Sequence, residues 1–285
     1  MDSKDYKVTG EKKFKLADFD TKETSKVSKA DMKARIAQNM TAIKTLQAKM
    51  YAEGKTGILF VIQAMDAAGK DSVVDHAMSG MNPQGIFVHS FKQPSTEELA
   101  HGFLWRAVKC LPKRGHIAVF NRSYYEDVLV VKVHELYKQY NMPKRCLTDA
   151  SFNKRYQHIR NFEEYLYDNG ILVVKIFLHM GKDAQKERFL ERIDEPKKHW
   201  KFSSGDIKER ALWDQYQRCY EKAIRETASE NCPWYVLPSD NQWYARGLFS
   251  DIILETLTKA NPKYPDLPQE EIDEMAACKD GLLKE

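Results

Sequence analysis

The 285-residue chain lacks any apolar run approaching the roughly 20 residues of a transmembrane helix, so we do not expect it to span a membrane. Its charged, polar start does not resemble a signal peptide, and we expect a cytoplasmic location. The five cysteines show neither C-x-x-C spacing nor a His/Cys cluster, which disfavours a disulfide framework and a structural zinc site. The sequence also has no zinc finger, RNP-type aromatic motif or continuous basic helix, so we expect no nucleic-acid partner.

Charge is unevenly distributed along the chain. Hydrophobic residues make up 42% of the composition and charged residues 30%, which is typical of a soluble globular protein. Residues 261–285 carry three lysines against seven acids, a net charge of −4, which leaves +8 for the rest of the chain. A basic body suits a polyanionic substrate, but it equally suits general solubility, and net charge does not specify the polyanion.

The sequence predicts one main domain with two appendages. Residues 1–27 are polar and lack periodicity, which predicts a flexible N-terminal arm. Ser28 and Asp31 then resemble a capping box, and apolar residues recur at helical spacing to about residue 52. We expect the main domain to span residues 28–260 and the acidic tail to follow at 261–285.

Candidate strands alternate with helical segments through the main domain. They lie at residues 57–63, 86–91, 116–120, 171–178 and 234–237. This alternation is typical of βαβ crossovers and predicts an α/β fold: a doubly wound, five-stranded parallel sheet with flanking helices. Ligands of such sheets bind at the carboxyl ends of the strands, so the segments that follow the strands are expected to form one site.

A small-residue loop, Met65–Gly69, follows the first strand and leads into Lys70. Strand-loop-helix elements of this kind bind phosphate through inward-pointing backbone N–H groups, the positive end of the helix and a lysine. The match to G-x-x-x-x-G-K-[ST] is imperfect, because Ala64 replaces the first glycine and Asp71 replaces the hydroxyl residue. An ordinary strand-to-helix turn is therefore the alternative interpretation. If the loop does bind phosphate, the carboxylate of Asp66 requires a cation between it and the phosphate oxygens, which implies Mg²⁺.

The segment after the third strand combines both signs of charge. Arg122 is followed by Glu126 and Asp127. Phosphoryl transfer needs cations for the phosphates and acids for the metal, because the catalysis consists largely of positioning and charge neutralisation. The alternative is a solvated helix start, where acidic residues interact favourably with the helix dipole.

A basic hinge lies between two helical segments after the fourth strand. Pro196 ends one helix, and Ser203 with Asp206 offers a cap for the next. Mobile cationic segments often close over phosphates and exclude water, so residues of about 188–210 are a candidate lid. A positively charged helical hairpin on the surface is an equally good interpretation of this segment alone.

Taken in order, these motifs resemble the polyphosphate kinase type 2 family, relatives of thymidylate kinase within the phosphate-loop superfamily. The resemblance rests on Met65–Lys70, Phe120–Tyr125 and a lid-like pattern from Arg188 to Tyr216, and it covers about residues 30–260. It implies a phosphate-loop kinase that passes the terminal phosphoryl group of polyphosphate, in line and reversibly, to AMP or ADP with Mg²⁺. GMP and GDP are further candidate acceptors. The family also implies a homo-oligomer, a dimer or a tetramer, with contacts through helix 28–52 or region 234–249 unless these segments are core.

The resemblance implies roles for individual residues. Asp66 would hold magnesium and position the acceptor phosphate, Lys70 would neutralise phosphates, and Arg122 would grip the transferred group. Arg188 and Arg192 would stabilise charge as the lid closes, and the sequence leaves open which of them points inward. The wider predicted set comprises Ala67, Ala68, Gly69, Asp71, Ser72, Asn121, Tyr125 and Glu126 for nucleotide and phosphate, and Asp66, Glu126 and Asp127 for metal. A polyphosphate groove is predicted at Lys92, Lys113, Arg114, Lys132, Lys144 and Arg145, although each of these is individually more typical of a solvated charge.

Two departures from the family pattern bear on specificity. Many relatives have Asp at position 121, and Trp-Tyr-Asn-Arg where this chain has Tyr124-Tyr125-Glu126-Asp127. The latter form resembles the subgroup that accepts both nucleoside mono- and diphosphates, and we hypothesise that Glu126 recruits a second cation. Two other functions stay open at this point: an ATP-dependent nucleoside monophosphate kinase, and a non-catalytic regulator that binds nucleotide or polyphosphate.

Overall fold

A single mixed sheet organises the chain in the computed structural model, which describes residues 3–10 and 13–285. Its strands stand in the order β1-β6-β5-β2-β4-β3, and all neighbours are parallel except β1, which is antiparallel to β6. The strands are β1 (Lys7–Val8), β2 (Gly57–Ala64), β3 (Ile86–Ser90), β4 (Ile117–Asn121), β5 (Ile171–His179) and β6 (Trp234–Pro238). Every residue of the central strand β2 is buried, which explains its unbroken apolar sequence.

Helices connect and cover the strands. They are α1 (Lys29–Glu53), α2 (Lys70–Met78), α3 (Thr96–Leu99), α4 (Trp105–Val108), α5 (Val130–Val133), α6 (Asp149–Asp168), α7 (Lys182–Asp194), α8 (Ser204–Ala211), α9 (Trp213–Thr227), α10 (Gln242–Ala260) and α11 (Gln269–Leu282). Three short 3₁₀ turns matter below: Tyr124–Asp127, Lys144–Cys146 and Pro196–Lys201. None of the helices in the described part of the chain is long and apolar enough to cross a membrane.

Local signals in the sequence account for the longest helix and its packing. The Ser28 hydroxyl accepts a hydrogen bond from the Asp31 N–H at 3.1 Å, and α1 ends at Gly54, whose φ of 65° is left-handed. Helix α1 packs closely on α10, where a Cβ atom at Gly247 would lie 1.9 Å from the Met32 sulfur. Any larger residue at this crossing would have to displace the Met32 side chain.

The five predicted strands are confirmed, each to within one residue at either end, but the strand count is wrong. Residues Lys7–Val8 add an antiparallel edge strand on β6. Within the segment predicted as a flexible arm, the described residues Tyr6, Val8, Phe14 and Leu16 are buried. A two-residue strand and four apolar residues among many polar ones carry no detectable period, so the sequence does not predict these contacts.

The two segments considered for oligomer contacts bury their apolar faces within the chain itself. In α1 these residues include Ile43 and Met50, and in region 234–249 they include Trp234 and Phe249. The domain boundaries, the acidic tail and a homo-oligomer all stay predictions. In the tail, α11 has no buried residue.

Candidate functional site

A cavity of about 580 Å³ opens where β2, β3 and β4 end, at the carboxyl edge of the sheet. The loop and first turn from Asp66 to Ser72 form its floor, and α7 with the turn Pro196–Lys201 forms its opposite wall. Among the described residues lining it, cations outnumber acids: Lys70, Lys92, Arg122, Arg188, Arg192, Lys198 and Lys201 against Asp66, Asp71, Glu191 and Asp206. The cavity is therefore built for an anion.

The loop has the tight backbone that a phosphate cradle needs. Ala67 and Gly69 adopt left-handed φ values of 63° and 97°. A Cβ atom at Gly69 would approach the Gln242 amide nitrogen to 3.1 Å, so glycine also provides room here. Ala68 and Gly69 line the cavity together with Asp71 and Ser72.

Lys70 curls back over the loop. Its Nζ donates to the carbonyl oxygens of Ala64 at 3.0 Å and Met65 at 3.2 Å. Burial lowers the pKa of Lys70 to about 8, reinforced by the nearby Arg122 cation and opposed by Asp66. The ammonium group thus lies at the base of the cavity, close to its titration range at neutral pH.

Arg122 is held between two carboxylates. Its Nη2 lies 2.7 Å from Asp66 Oδ1, and its Nη1 lies 3.7 Å from Glu126 Oε2. The residue itself adopts a left-handed φ of 62°, an uncommon conformation for a side chain of this size. The Gln63 amide is oriented with its nitrogen towards Glu126 and donates to Glu126 Oε1 at 2.9 Å. Burial raises the pKa of Glu126, although Arg122 and Lys70 oppose that shift.

Tyr125 does not join the nucleotide site, contrary to the prediction. The residue is fully buried, and its hydroxyl donates to Glu163 Oε1 at 2.8 Å and also lies 2.8 Å from Thr227 Oγ1. The 3₁₀ turn Tyr124–Asp127 directs Glu126 towards Arg122 and sends Tyr125 into the core. A sequence cannot reveal which side of so short a turn faces the ligand.

Asp127 likewise lies apart from the predicted metal set. Its carboxylate faces Arg155, whose Nη1 lies 3.2 Å from Oδ1, and burial raises its pKa to about 6 against the pull of Arg155 and Arg106. Within residues 3–10 and 13–285, no group of three or more His, Cys, Asp or Glu side chains is placed to hold a metal ion. The predicted three-carboxylate centre is not assembled, and Asp66 and Glu126 share only Arg122.

The two arginines of the candidate lid have different partners. Arg188 donates to the Ala67 carbonyl at 2.9 Å and to the Asp240 carbonyl at 2.9 Å, so it ties the phosphate loop to the end of β6. Burial lowers the pKa of Arg188. Arg192 instead contacts Asp206 at 3.0 Å within the lid segment. Both arginines line the cavity, but only Arg188 contacts the loop backbone in this structure.

Of the predicted polyphosphate groove, the structure places only Lys92 in the cavity. Lys113 and Arg114 precede β4, and Arg114 donates to the Asn169 carbonyl at the amino edge of the sheet, about 26 Å away along the eight residues of β2. Lys132 pairs with Asp149 at 2.9 Å. The exposed residues Lys144 and Arg145 lie in a 3₁₀ turn outside the lining. Residues that precede a strand, such as Lys113 and Arg114, lie at its amino end and cannot reach the cavity at the carboxyl edge of the sheet.

Several residues that sequence reasoning missed support the loop. The buried Gln185 donates to the Asp66 carbonyl at 2.9 Å, and Arg246 of α10 donates to the Ser72 hydroxyl. Asn121, which was predicted for the site, donates to Asp71 at 2.6 Å, and this bond fixes the residue that replaces the usual hydroxyl. Lys198 and Lys201 lie in the basic hinge, so the sequence could have predicted them as site residues. No feature of the sequence distinguishes Gln185 or Arg246 from other polar residues.

Comparison with known proteins identifies the family. A family model described as "Polyphosphate kinase 2 (PPK2)" matches residues 26–265. The chain belongs to the polyphosphate kinase 2 family, as the motifs predicted. Within this family, the chain is 48% identical over 244 residues to an "ADP-polyphosphate phosphotransferase" from Rhodopseudomonas palustris, covering 85% of this chain and 84% of that protein.

Two further relatives extend the match over nearly the whole chain. An "AMP/ADP-polyphosphate phosphotransferase" from Meiothermus ruber is 44% identical over 265 residues, covering 92% of this chain and 95% of that protein. The crystal structure of "Polyphosphate Kinase 2" from Arthrobacter aurescens superposes with a TM-score of 0.88 at 36% identity, covering 97% of both chains. The α/β fold with its mostly parallel sheet is therefore that of polyphosphate kinase 2 structures.

Proposed function

We propose that this chain is a polyphosphate:nucleotide phosphotransferase that moves the terminal phosphoryl group of polyphosphate to AMP or ADP, reversibly. The single observation that carries the proposal is the cation-lined cavity in which Arg122 lies 2.7 Å from Asp66 above the loop that ends in Lys70. The names of the Rhodopseudomonas and Meiothermus relatives, which are 48% and 44% identical, support the same substrates. GMP and GDP stay candidate acceptors.

The chain's own groups account for binding and positioning. The backbone N–H groups at the start of α2 and the Lys70 ammonium bind phosphate oxygens at the base of the cavity. Arg122 exchanges part of its contact with Asp66 for the transferred group, where a planar guanidinium can bind two oxygens at once. Arg188 keeps the Ala67 carbonyl in place, 2.9 Å away, and so holds the loop open to the phosphates. These contacts position the donor and acceptor in line and neutralise their charge.

The site suits Mg²⁺, although in a different way from the three-carboxylate prediction. Asp66 and Glu126 present carboxylates on either side of Arg122, and magnesium in kinase sites is bound by one or two carboxylates together with substrate phosphates and water. When bound, the ion would neutralise charge on the phosphate oxygens. Asp127, which pairs with Arg155, is not part of this set.

The proposal also includes a mobile lid, which contains the turn Pro196–Lys201. Trp200 is 78% exposed at the cavity mouth, and the turn Pro196–Lys201 has no buried residue. Closure of this segment would bring Lys198 and Lys201 over bound phosphates and exclude water from the transfer. The kinase domain over residues 28–260, the acidic tail and assembly into a dimer or tetramer belong to the same proposal.

The test is to incubate the purified protein with polyphosphate, Mg²⁺ and ADP, with no other donor, and to measure ATP. Lys70→Ala and Arg122→Ala should keep the fold by circular dichroism, and the arginine variant should lose on the order of 10³ in rate. Lys113→Ala is the matched control, because it removes a cation at the opposite edge of the sheet. Phosphorylation of AMP with ATP as the only effective donor would identify a nucleoside monophosphate kinase. Binding without turnover would identify a regulator.

A further inference from the structure

The loop at the base of the cavity has its carbonyl groups occupied by side chains. The carbonyls of residues 64–67 each accept a hydrogen bond from a side chain, the first two from Lys70, the third from Gln185 and the fourth from Arg188. Lys70 and Arg188 line the cavity themselves. Gln185 is only 1% exposed and is not among the described residues of the lining, so it contacts the loop from the protein interior.

The two bonds from α7 enclose a residue in an unfavourable backbone conformation. Ala67 has a φ of 63°, in the left-handed region that disfavours residues with a Cβ atom. Gln185 binds the carbonyl before Ala67 and Arg188 binds the carbonyl of Ala67 itself, both at 2.9 Å. Because the Asp66–Ala67 peptide is trans, its N–H points away from Gln185 and towards the cavity that Ala67 lines. N–H groups turned to one side by a left-handed residue are a common way to bind phosphate.

The orientation of the Gln185 amide is fixed at its other end. Its Oε1 accepts from Arg210 Nη1 at 3.0 Å, and the same nitrogen donates to the Lys182 carbonyl at 2.6 Å. An amide whose oxygen faces a guanidinium presents its nitrogen, its only donor, to the Asp66 carbonyl. Arg210 lies in the last turn of α8, so it connects the loop to the helix that follows the turn Pro196–Lys201.

The end of α8 is itself anchored outside the loop. Glu209 Oε2 lies 2.9 Å from His134 Nε2, directly after α5, and accepts from the Tyr216 hydroxyl of α9 at 2.5 Å. Arg210 follows Glu209 in the chain, so these contacts fix the position from which it orients Gln185.

We infer that Gln185, oriented by Arg210, is a positioning residue that holds the Asp66–Ala67 peptide in the orientation that binds phosphate. This inference rests on the proposed function and adds a residue that touches no substrate. Without the Gln185 bond, Ala67 relaxes from its left-handed conformation, since such strain persists only where the surroundings impose it. Rotation of the peptide then brings a carbonyl oxygen towards the phosphates in place of an N–H, and the two repel each other.

Gln185→Glu separates the hydrogen-bond donor from the packing. Glutamate has nearly the same shape and keeps Arg210 as a partner, but its carboxylate cannot donate to the Asp66 carbonyl. We expect kcat/KM for polyphosphate to fall on the order of tenfold, with little change in melting temperature. Binding of tripolyphosphate, measured by calorimetry, should weaken by a similar factor. Lys186→Met is the matched control, because Lys186 is the next residue of α7, is exposed and lies outside the cavity lining.

A second variant tests the strain at residue 67 and does not depend on a buried carboxylate. Gln185→Met removes the donor and still fills the space. Adding Ala67→Gly to it removes the Cβ atom that disfavours a left-handed φ, so kcat/KM should recover about fivefold, more than Ala67→Gly changes it in the unsubstituted protein. A residue that only fills space predicts no such recovery.

The role of Arg210 is tested by additivity. Arg210→Met should lower kcat/KM, and adding it to Gln185→Met should cost nothing further, because both changes break the same contact with the loop. Arg218→Met, an exposed arginine of α9 outside the cavity lining, is the control.

Three results would each overturn the inference: full kcat/KM in Gln185→Glu, no recovery with Ala67→Gly, or additive losses in the double variant of Gln185 and Arg210. Failure of the proposed function is distinguishable, because the unsubstituted protein then makes no ATP from polyphosphate. Titration of tripolyphosphate into the same variants still tests Gln185 in that case.

Discussion

A buried ion pair between Lys175 and Glu163 lies under the segment that carries Arg122, and its contribution to the free energy of unfolding can be tested. Lys175 is fully buried in the middle of β5, and its Nζ contacts Glu163 Oε2 and donates to the Thr227 carbonyl at 2.8 Å. The other carboxylate oxygen of Glu163 accepts from Tyr124 at 2.9 Å and Tyr125 at 2.8 Å. These tyrosines follow Arg122 and Ser123 directly, so the network supports the segment that carries Arg122.

We predict that Lys175→Met is strongly destabilising although methionine fits the site in shape. The substitution leaves the Glu163 carboxylate buried without its countercharge, which costs about 3–5 kcal/mol in comparable sites. Two tyrosine hydroxyls still donate to the carboxylate, so we expect a value near the lower end, about 3 kcal/mol. At about 2 °C per kcal/mol for a chain of this size, the melting temperature should fall by roughly 6 °C. Urea unfolding followed by circular dichroism and tryptophan fluorescence measures the free energy directly.

The decisive comparison is the double variant Lys175→Met/Glu163→Gln. Glutamine keeps a carbonyl oxygen for the tyrosine hydroxyls and removes the uncompensated charge, so the double variant should be more stable than Lys175→Met alone by about 1 kcal/mol or more. If the losses of the two single variants simply add in the double variant, the pair is not electrostatically coupled and the reasoning fails. A loss below about 1 kcal/mol for Lys175→Met alone would refute it equally.

Three further predictions concern turnover. Because the pKa of Lys70 is lowered to about 8, the ammonium loses its proton as the pH rises through that value, and kcat/KM for polyphosphate should fall there. The variant Lys70→Arg keeps its charge and should not show this fall at alkaline pH. If the variant still shows the fall, another group causes it. Glu126→Asn should lower AMP phosphorylation by roughly tenfold more than ADP phosphorylation, the equivalent of one charged hydrogen bond, whereas equal losses would remove the second-cation hypothesis. The KM for polyphosphate should rise steeply with salt, because seven cations of the described chain line the cavity, and a salt-insensitive KM would contradict the proposed binding mode.

The sheet was predictable because burial on both faces imposes an unbroken apolar sequence. The strand β2 is buried at every position, and its sequence reads accordingly. The edge strand β1 was not predictable, since two residues are too few to show a period. Lys175 was detectable in principle, because a lysine inside the run Ile171–His179 must have a buried partner, but its partner Glu163 lies on another element.

The site was predictable in its parts and not in its orientation. Residues 66–69 of the loop, Arg122 and four basic residues of the candidate lid line one cavity, because segments that follow parallel strands meet at one edge. The four lid residues are Arg188, Arg192, Lys198 and Lys201. Lys113 and Arg114 precede β4 and therefore lie at the opposite edge of the sheet. The predicted strand positions were enough to exclude them from the site. The positions of Tyr125 and Asp127 could not be predicted, because they depend on the backbone path of a 3₁₀ turn. The directions of side chains on three consecutive residues of such a turn depend on tertiary packing.

The charges around the cavity explain how a site built for a polyanion stays folded with so many cations. Arg122 lies between Asp66 and Glu126, Arg192 contacts Asp206, and Lys198 contacts both Glu191 and Glu195. The more exposed pairs of Lys198 each contribute only about 0–1 kcal/mol, so a phosphate oxygen can replace the carboxylate there at little cost. Glu191 and Glu195 therefore stabilise the cationic surface without competing strongly with the substrate. In the proposed reaction, a phosphate bound to Arg122 would replace Asp66 and Glu126, and these carboxylates would then be available to hold magnesium.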